Sequence, residues 1–316
     1  FSVKMYIFAH QYSSRTETIF LKPSVISFCP VGAQAAGPSF SHTWRPSFIG
    51  YREAASWLRP ILEGGTFLVQ FDHIQKTYQS PNGEICALKD ITFSVAEGDF
   101  VSIVGPSGCG KSTLLSIAVG LEQPSGGQVY LDGQPASQAL SRMGYMPQRD
   151  ELFPWRSIWA NVTLGLEIRG QKDDAHLQRV ETLLNRYGLS GFRDKLPGQL
   201  SGGMRQRCAL IRTLATDPGL LLLDEPFSAL DYQTRLHVSD DIHAMIRQEK
   251  KTAILVTHDI SESVSMSDQV VVLSARPGRV KAVHDLSEFK GLSPMERREH
   301  PHFARYFNSI WKELEH

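Results

Sequence analysis

Residues 100–120 read FVSIVGPSGCGKSTLLSIAVG, and this run decides the fold. An apolar strand pattern, FVSIVG, ends abruptly in a loop of small residues. KSTLLSIAVG then carries helical spacing as far as Gly120. Gly105, Gly110, Lys111 and Ser112 satisfy the spacing G-x-x-x-x-G-K-[ST] between that strand and that helix. The small residues let backbone N–H groups from Gly105, Pro106, Ser107, Gly108, Cys109 and Gly110 onward converge on a phosphate, proline alone lacking the donor. The helix N-terminus at Lys111, Ser112 and Thr113 adds its positive dipole end. Lys111 is then expected to reach the β- and γ-phosphates of a nucleotide, and the Ser112 hydroxyl to bind Mg²⁺. Cys109 is expected to offer only its backbone N–H, with a partly exposed thiol open to alkylation.

Two further apolar runs end in polar residues. LLLLDEP (220–226) delivers Asp224 and Glu225, and TAILVTHD (252–259) delivers His258. Short continuous apolar runs are the signature of buried parallel strands, whose C-terminal ends share one edge of the sheet. That placement sets Asp224 beside the phosphate loop as a Mg²⁺ ligand. Glu225 is set to polarise an attacking water, and His258 to hydrogen-bond a γ-phosphate. Taken alone, a histidine at a strand end is more often a structural residue.

Outward from this core, TFLVQFDHIQKTY (66–78) and ALKDITFSVAEGDFVSIVG (87–105) read as strands separated by a Pro-Asn-Gly turn at 81–83. SGGQVYLDG (125–133) reads as a hairpin, and DAHLQRVETLLNRYG (174–188) as a helix stopped by Gly188. DQVVVLSARPGRV (268–280) reads as another strand and turn. The tail predicts an amphipathic helix with Phe303, Phe307, Ile310, Trp311 and Leu314 on one side. Residues 1–65 differ: they are rich in Ser, Pro, Gly and isolated aromatics and sustain no period, so they read as a disordered or non-native leader. AQA at 33–35 mimics a signal-peptidase site, but Lys22 and Pro23 interrupt the apolar stretch before it. Only 51–62 within that segment carries a short helical pattern.

Composition narrows the function. Thirty-three Lys and Arg balance thirty-three Asp and Glu among 316 residues, which leaves no electrostatic footprint for general nucleic-acid binding. No apolar run approaches the ~20 residues of a membrane span, so a membrane role is peripheral. The four cysteines (Cys29, Cys86, Cys109, Cys208) lack metal-ligand spacing and read as free thiols.

The order of pieces resembles the ATP-binding subunit of ABC transporters, from about Thr66 to Val280 and more loosely into the tail. The phosphate loop matches the Walker A motif, LLLLDE the Walker B motif, and LSGGMRQR (200–207) the ABC signature. SALD (228–231) matches the D-loop and His258 the switch histidine. The resemblance implies an α/β P-loop NTPase core with a mostly parallel sheet, an N-terminal antiparallel β subdomain and an inserted helical signature subdomain. It divides the chain into the leader, an ATPase domain over 66–286 with the helical subdomain at about 149–205, and a helical tail over 287–316. It also implies that Gln148 touches Mg²⁺ or the attacking water. For Tyr78, which on its own reads equally as a core aromatic, it implies stacking on adenine. Ser201, Gly202, Gly203 and Asp231 are implied to contact the ATP held by a second subunit, in a homodimer closed around two MgATP.

QRDELFPWRSIWANVTLGLEIRG (148–170) and VVVLSARPGRV (270–280) look like importer ATPases of the nitrate, sulfonate, taurine and thiamine-precursor group. That likeness implies a separate transmembrane permease, an extracytoplasmic solute-binding protein acting through it, and a peripheral place on the cytoplasmic face of the inner membrane. Leu152, Phe153, Pro154 and Trp155 form an apolar loop cluster that reads either as a small satellite core or as part of the groove for a permease helix. The competing function, a non-transport ABC ATPase acting on nucleic acid or ribosomes, usually brings coiled-coil insertions or two nucleotide domains, and neither is visible.

Overall fold

The structure, a computed structural model, describes residues 67–81 and 83–315. The leader, its 51–62 helical pattern, Cys29 and the middle residue of the 81–83 turn lie outside the described residues.

The chain runs β1 (Phe67–Ser80), β2 (Gly83–Ala96), β3 (Phe100–Val104), α1 (Lys111–Ala118), β4 (Gly126–Leu131), β5 (Gln134–Pro135) and β6 (Met143–Met146). Four helices follow: α2 (Ile158–Val162), α3 (Leu164–Ile168), α4 (Asp174–Arg186) and α5 (Gly202–Leu214). The second half alternates β7 (Leu220–Asp224), α6 (Tyr232–Gln248), β8 (Thr252–Val256), α7 (Ile260–Met266), β9 (Gln269–Leu273) and β10 (Val280–Asp285). It closes with α8 (Pro294–Glu299) and α9 (Phe303–Glu315).

Two sheets result. An antiparallel sheet has the order β2-β1-β4-β5, and a six-stranded sheet the order β10-β9-β3-β8-β7-β6. In the second, β9, β3, β8, β7 and β6 are parallel and only β10 runs against its neighbour. Every residue of β3, β7 and β8 is buried, which is why these strands read as predominantly apolar runs without alternation. The registers Asp224↔Val256 and Val104↔Val272 bring the strand ends to one edge.

The helical segment follows from capping and periodicity. Ser157 caps α2 by accepting from the Ala160 N–H at 3.2 Å, and Asp173 caps α4 by accepting from His176 at 3.0 Å. Val180, Leu183 and Leu184 of α4 then enter a core shared with Ile158, Val162 and Leu210 and with the sheet residues Leu221 and Leu223. α5 runs unbroken from Gly202 to Leu214, so the expected subdomain limit at about 205 falls inside one helix.

The tail is built into the sheet. Ile310, Leu286 and Phe289 are buried with Val104, Val264, Val270 and Val272, and Phe303, Phe307 and Leu314 pack against that cluster. Trp311 stays half exposed, its ring 6.2 Å from Phe307 in a stacked arrangement.

Candidate active site

The loop between β3 and α1 is set by its glycines and by what packs beneath it. Gly110 has φ +103°, and a Cβ there would lie 2.5 Å from Leu88 Cδ2, so only glycine fits. Lys111 opens α1 only 7% exposed, and its Nζ donates to the carbonyls of Gly105 at 2.7 Å and Pro106 at 3.3 Å. Ser107 and Gly108 are exposed at the rim. Arg276 Nε donates to the Gly108 carbonyl at 3.2 Å, which ties the rim to the β9–β10 turn.

Cys109 differs from expectation. Its thiol is buried beneath the loop, and burial, the largest cause, pushes it above its ordinary pKa. The side chain turns into the apolar core under β3, so it is a poor target for alkylation.

Below the loop, the Ser112 hydroxyl donates to Asp224 Oδ1 at 3.1 Å and the Tyr145 hydroxyl to Oδ2 at 3.3 Å. Burial raises the Asp224 carboxyl above the ordinary carboxylate range, against the lowering effect of those two donors. Burial also pushes Tyr145 up to about 12, so its hydroxyl keeps the proton that it donates. The pairing of a serine hydroxyl with a carboxylate is a donor set suited to a hard divalent cation such as Mg²⁺, which takes oxygen ligands.

Glu225 follows with φ +44°, a left-handed conformation that costs a non-glycine residue roughly 1–3 kcal/mol. Its N–H donates to the Val256 carbonyl at 2.9 Å, which anchors the turn to the neighbouring strand. Glu225 Oε2 faces Gln148 Nε2 at 3.2 Å and His258 Nδ1 at 3.2 Å. Gln148 Nε2 also donates to Ser228 Oγ at 3.3 Å, so the D-loop begins within this network. Lys111, Ser112, Asp224, Glu225, Gln148 and His258, from four separate stretches of sequence, thus share one edge of the sheet. Such an arrangement can bind polyphosphate, hold a cation and deprotonate a water.

Tyr78 lies to one side, half-buried at the end of β1 and outside the buried cluster beneath that strand. Its hydroxyl donates to Glu122 Oε2 at 2.6 Å and lies 3.4 Å from the Thr113 hydroxyl, while Lys76 Nζ sits 4.9 Å from the ring centroid. The tyrosine therefore borders α1 and is not a core aromatic. Thr113 is held from this side.

The signature and D-loop residues are arranged differently. Ser201 caps α5 by accepting from the Met204 N–H at 3.3 Å, and Asp231 caps α6 by accepting from Thr234 at 3.0 Å. The Thr234 N–H, its largest influence, holds the Asp231 carboxyl below the ordinary range. Both caps are exposed. Gly202 and Gly203 lie against α6 and its leading loop: a Cβ on Gly203 would meet Val238 Cγ2 at 2.7 Å, and one on Gly202 would meet Leu230 Cδ2 at 3.0 Å. Among the described residues, neither cap bonds to the Lys111–Glu225 cluster.

The apolar loop cluster divides between its two readings. Leu152 is buried in the main core, whereas Trp155 is 73% exposed with its ring 5.1 Å from Phe153. Buried Asn161 shapes this loop, accepting from Phe153 N at 2.7 Å and donating to the carbonyls of Phe153, Arg156 and Ser157. Sequence reasoning missed Asn161, as it missed Tyr145, Glu122 and Arg276. Tyr145, Glu122 and Arg276 act across long gaps in sequence, while Asn161 bonds nearby residues of an irregular loop, and none has a local pattern to announce it.

Comparison with known proteins finds relatives of this chain. Residues 88–228 match the ABC transporter family. The uncharacterized ABC transporter ATP-binding protein YtlC of Bacillus subtilis is 46% identical over 244 residues, which cover 77% of this chain and 94% of that protein. The aliphatic sulfonates import ATP-binding protein SsuB of Bacillus thuringiensis is 36% identical over 248 residues, covering 78% and 96%. Among solved structures, a dimeric ATP-binding cassette in a post-hydrolysis state bound to ADP and Pi superposes with a TM-score of 0.60. It is 32% identical and covers 69% of this chain and 98% of its own.

Proposed function

This chain belongs to the ABC transporter family of ATP-binding proteins and is an ATPase, and we propose that it works as a homodimer closed around two MgATP to drive a separate import permease. The observation that carries the reading is the convergence of Gln148 and His258 on Glu225, next to Asp224, Ser112 and Lys111. The loop N–H groups and Lys111 hold the β- and γ-phosphates, and Tyr78 supplies the face on which adenine stacks. Ser112 and Asp224, with Gln148 nearby, hold Mg²⁺, which when bound neutralises phosphate charge. Glu225 accepts a proton as the water oxygen bonds to the γ-phosphorus and the bond to the β–γ bridging oxygen breaks, leaving ADP and phosphate. His258 hydrogen-bonds the γ-phosphate and orients that water.

Ser201, Gly202 and Gly203 then act on the nucleotide of the second chain, with Asp231 at the interface. What supports this reading is an exposed cap that, among the described residues, makes no bond to the chain's own phosphate loop, on a helix whose N-terminus suits an anion. The fitting assembly has a two-fold axis, with the same surface used by both chains.

No described helix is long and apolar enough to cross a membrane, in keeping with a peripheral subunit on the cytoplasmic face of the inner membrane. An aliphatic sulfonate is the first solute to test, because one relative is named for that import. A solute-binding protein would act only through the permease.

Mixing two disabled variants tests the shared site. Lys111→Ala and Ser201→Phe should each lower hydrolysis by roughly 10²-fold, the scale of losing one transition-state donor. An equimolar mixture should recover about a quarter of the wild-type rate, since half the dimers keep one intact site of two. A mixture no faster than its components would reject action in trans.

A further inference from the structure

The side chain of Arg235, in the first turn of α6, sits where two loops of the site meet. Its Nη2 donates to the Leu230 carbonyl at 3.1 Å, immediately before Asp231. Its Nη1 reaches Asp259 Oδ2 at 3.5 Å, immediately after His258. The remaining donor, Nε, is buried without a hydrogen-bond partner and stands 3.7 Å from Glu262 Oε1. A single guanidinium therefore spans the D-loop and the strand-end loop, in the planar fork geometry that lysine lacks.

Glu262 completes the arrangement from α7. It is 6% exposed, and its Oε2 accepts from the Thr257 hydroxyl at 2.7 Å. That hydroxyl in turn accepts from the Asp259 N–H at 3.0 Å, and Asp259 Oδ1 caps α7 through the N–H groups of Ser261 and Glu262. Both sequence neighbours of His258 are thus clamped, Thr257 by Glu262 and Asp259 by Arg235. The imidazole itself is half exposed and touches Glu225 at 3.2 Å. Its direction is set by a backbone whose flanking side chains are fixed from behind.

We propose that Arg235 and Glu262 are positioning residues that hold the Asp231 loop and the His258 loop in one arrangement, so that a second chain pressing on Asp231 sets the imidazole. The inference rests on the reading of Asp231 as an interface residue and of His258 as the γ-phosphate contact. It adds the physical link between them: a packed, mostly buried hydrogen-bond network is displaced as a unit, because each lost bond leaves a buried group unpaired. An ordinary structural ion pair of the same residues would change stability and leave the imidazole where it is.

Arg235→Met, Arg235→Lys and the isosteric Glu262→Gln test this in the full chain. Arg235→Met should lower kcat about tenfold with KM for ATP held within about twofold, since binding groups stay put while a catalytic group is misplaced. Arg235→Lys should recover part of the loss, keeping the charge without the fork. In chain labelled with [¹³Cε1]histidine, the His258 resonance, assigned by its disappearance in His258→Ala, should shift in Arg235→Met and in Glu262→Gln. An unmoved His258 resonance in both variants, or a kcat within twofold of wild type in Arg235→Met, would overturn the link. Should Arg235→Met not fold, Glu262→Gln carries the same two readouts. Wild type and Glu225→Gln are assayed alongside. Full hydrolysis in Glu225→Gln would reject the reading of the site, while the histidine resonance would still decide the link.

Discussion

The phosphate cluster and the signature turn are both built at helix N-termini, yet they differ in where their polar groups find partners. In the cluster, Ser112 bonds Asp224, Gln148 and His258 meet on Glu225, and Lys111 caps two carbonyls of its own loop. At the signature turn, the Ser201 hydroxyl accepts from the third residue of its own helix and remains exposed, and the Asp231 carboxylate does the same one helix later. Convergent side chains from four stretches of chain are partnered within the chain itself. The signature turn presents exposed caps backed by tightly packed glycines. On the proposed reading, the difference teaches that a chain can carry every chemical part of a site and still need a second copy to assemble one.

The sharpest way to break that contrast is Glu225→Gln, which keeps the shape of the cluster and removes the base proposed for it. Hydrolysis should fall by ~10²–10⁴, the range for losing general-base catalysis. Nucleotide affinity, measured by fluorescence of a labelled ATP analogue, should stay within a few-fold, and an ATP-bound dimer should accumulate on size exclusion. Undiminished turnover would show that the convergence on Glu225 is structural only.

A smaller effect is expected at the rim of the same cluster. Tyr78→Ala removes the ring proposed for adenine stacking, an interaction worth ~1–3 kcal/mol. KM for ATP should rise about tenfold with kcat nearly unchanged, in steady-state assays over a range of ATP concentrations. A fall in kcat at constant KM would move Tyr78 from binding into the support of Thr113, which its hydroxyl approaches.

Legibility in the sequence followed the same division. β3, β7 and β8 could be read because strands buried on both faces are predominantly apolar runs without alternation. His258 could be placed beside Asp224 and the phosphate loop because parallel strands end on a common edge, although its 3.2 Å approach to Glu225 could not be read. The amphipathic tail was evident from its spacing, but its docking on α7, β9 and β10 depends on shape complementarity that spacing does not encode. Cys109 shows the limit within a single motif. The loop pattern locates its backbone, while the direction of its thiol is decided by the core under β3. Tyr145, Glu122, Arg276 and the Arg235–Glu262 link escape reading for one reason: each is defined by a partner far along the chain.

Ser201→Ala gives the smallest expected change in stability and the finest test of the contrast, because one hydroxyl is assigned two roles. Within the chain it caps α5, and losing a serine cap costs about 1 kcal/mol. For a chain of this size that corresponds to roughly 2–4 °C in Tm. A cap acting locally would stop there, with turnover per folded molecule unchanged. If the same hydroxyl faces the nucleotide of a second chain, turnover falls by far more than the folded fraction does. The deficit then also persists at temperatures well below the transition, where the capping loss no longer depopulates the native state. Calorimetry and ATPase assays on one preparation separate the two roles. A few degrees lost with full activity would make the signature turn a helix start and nothing more.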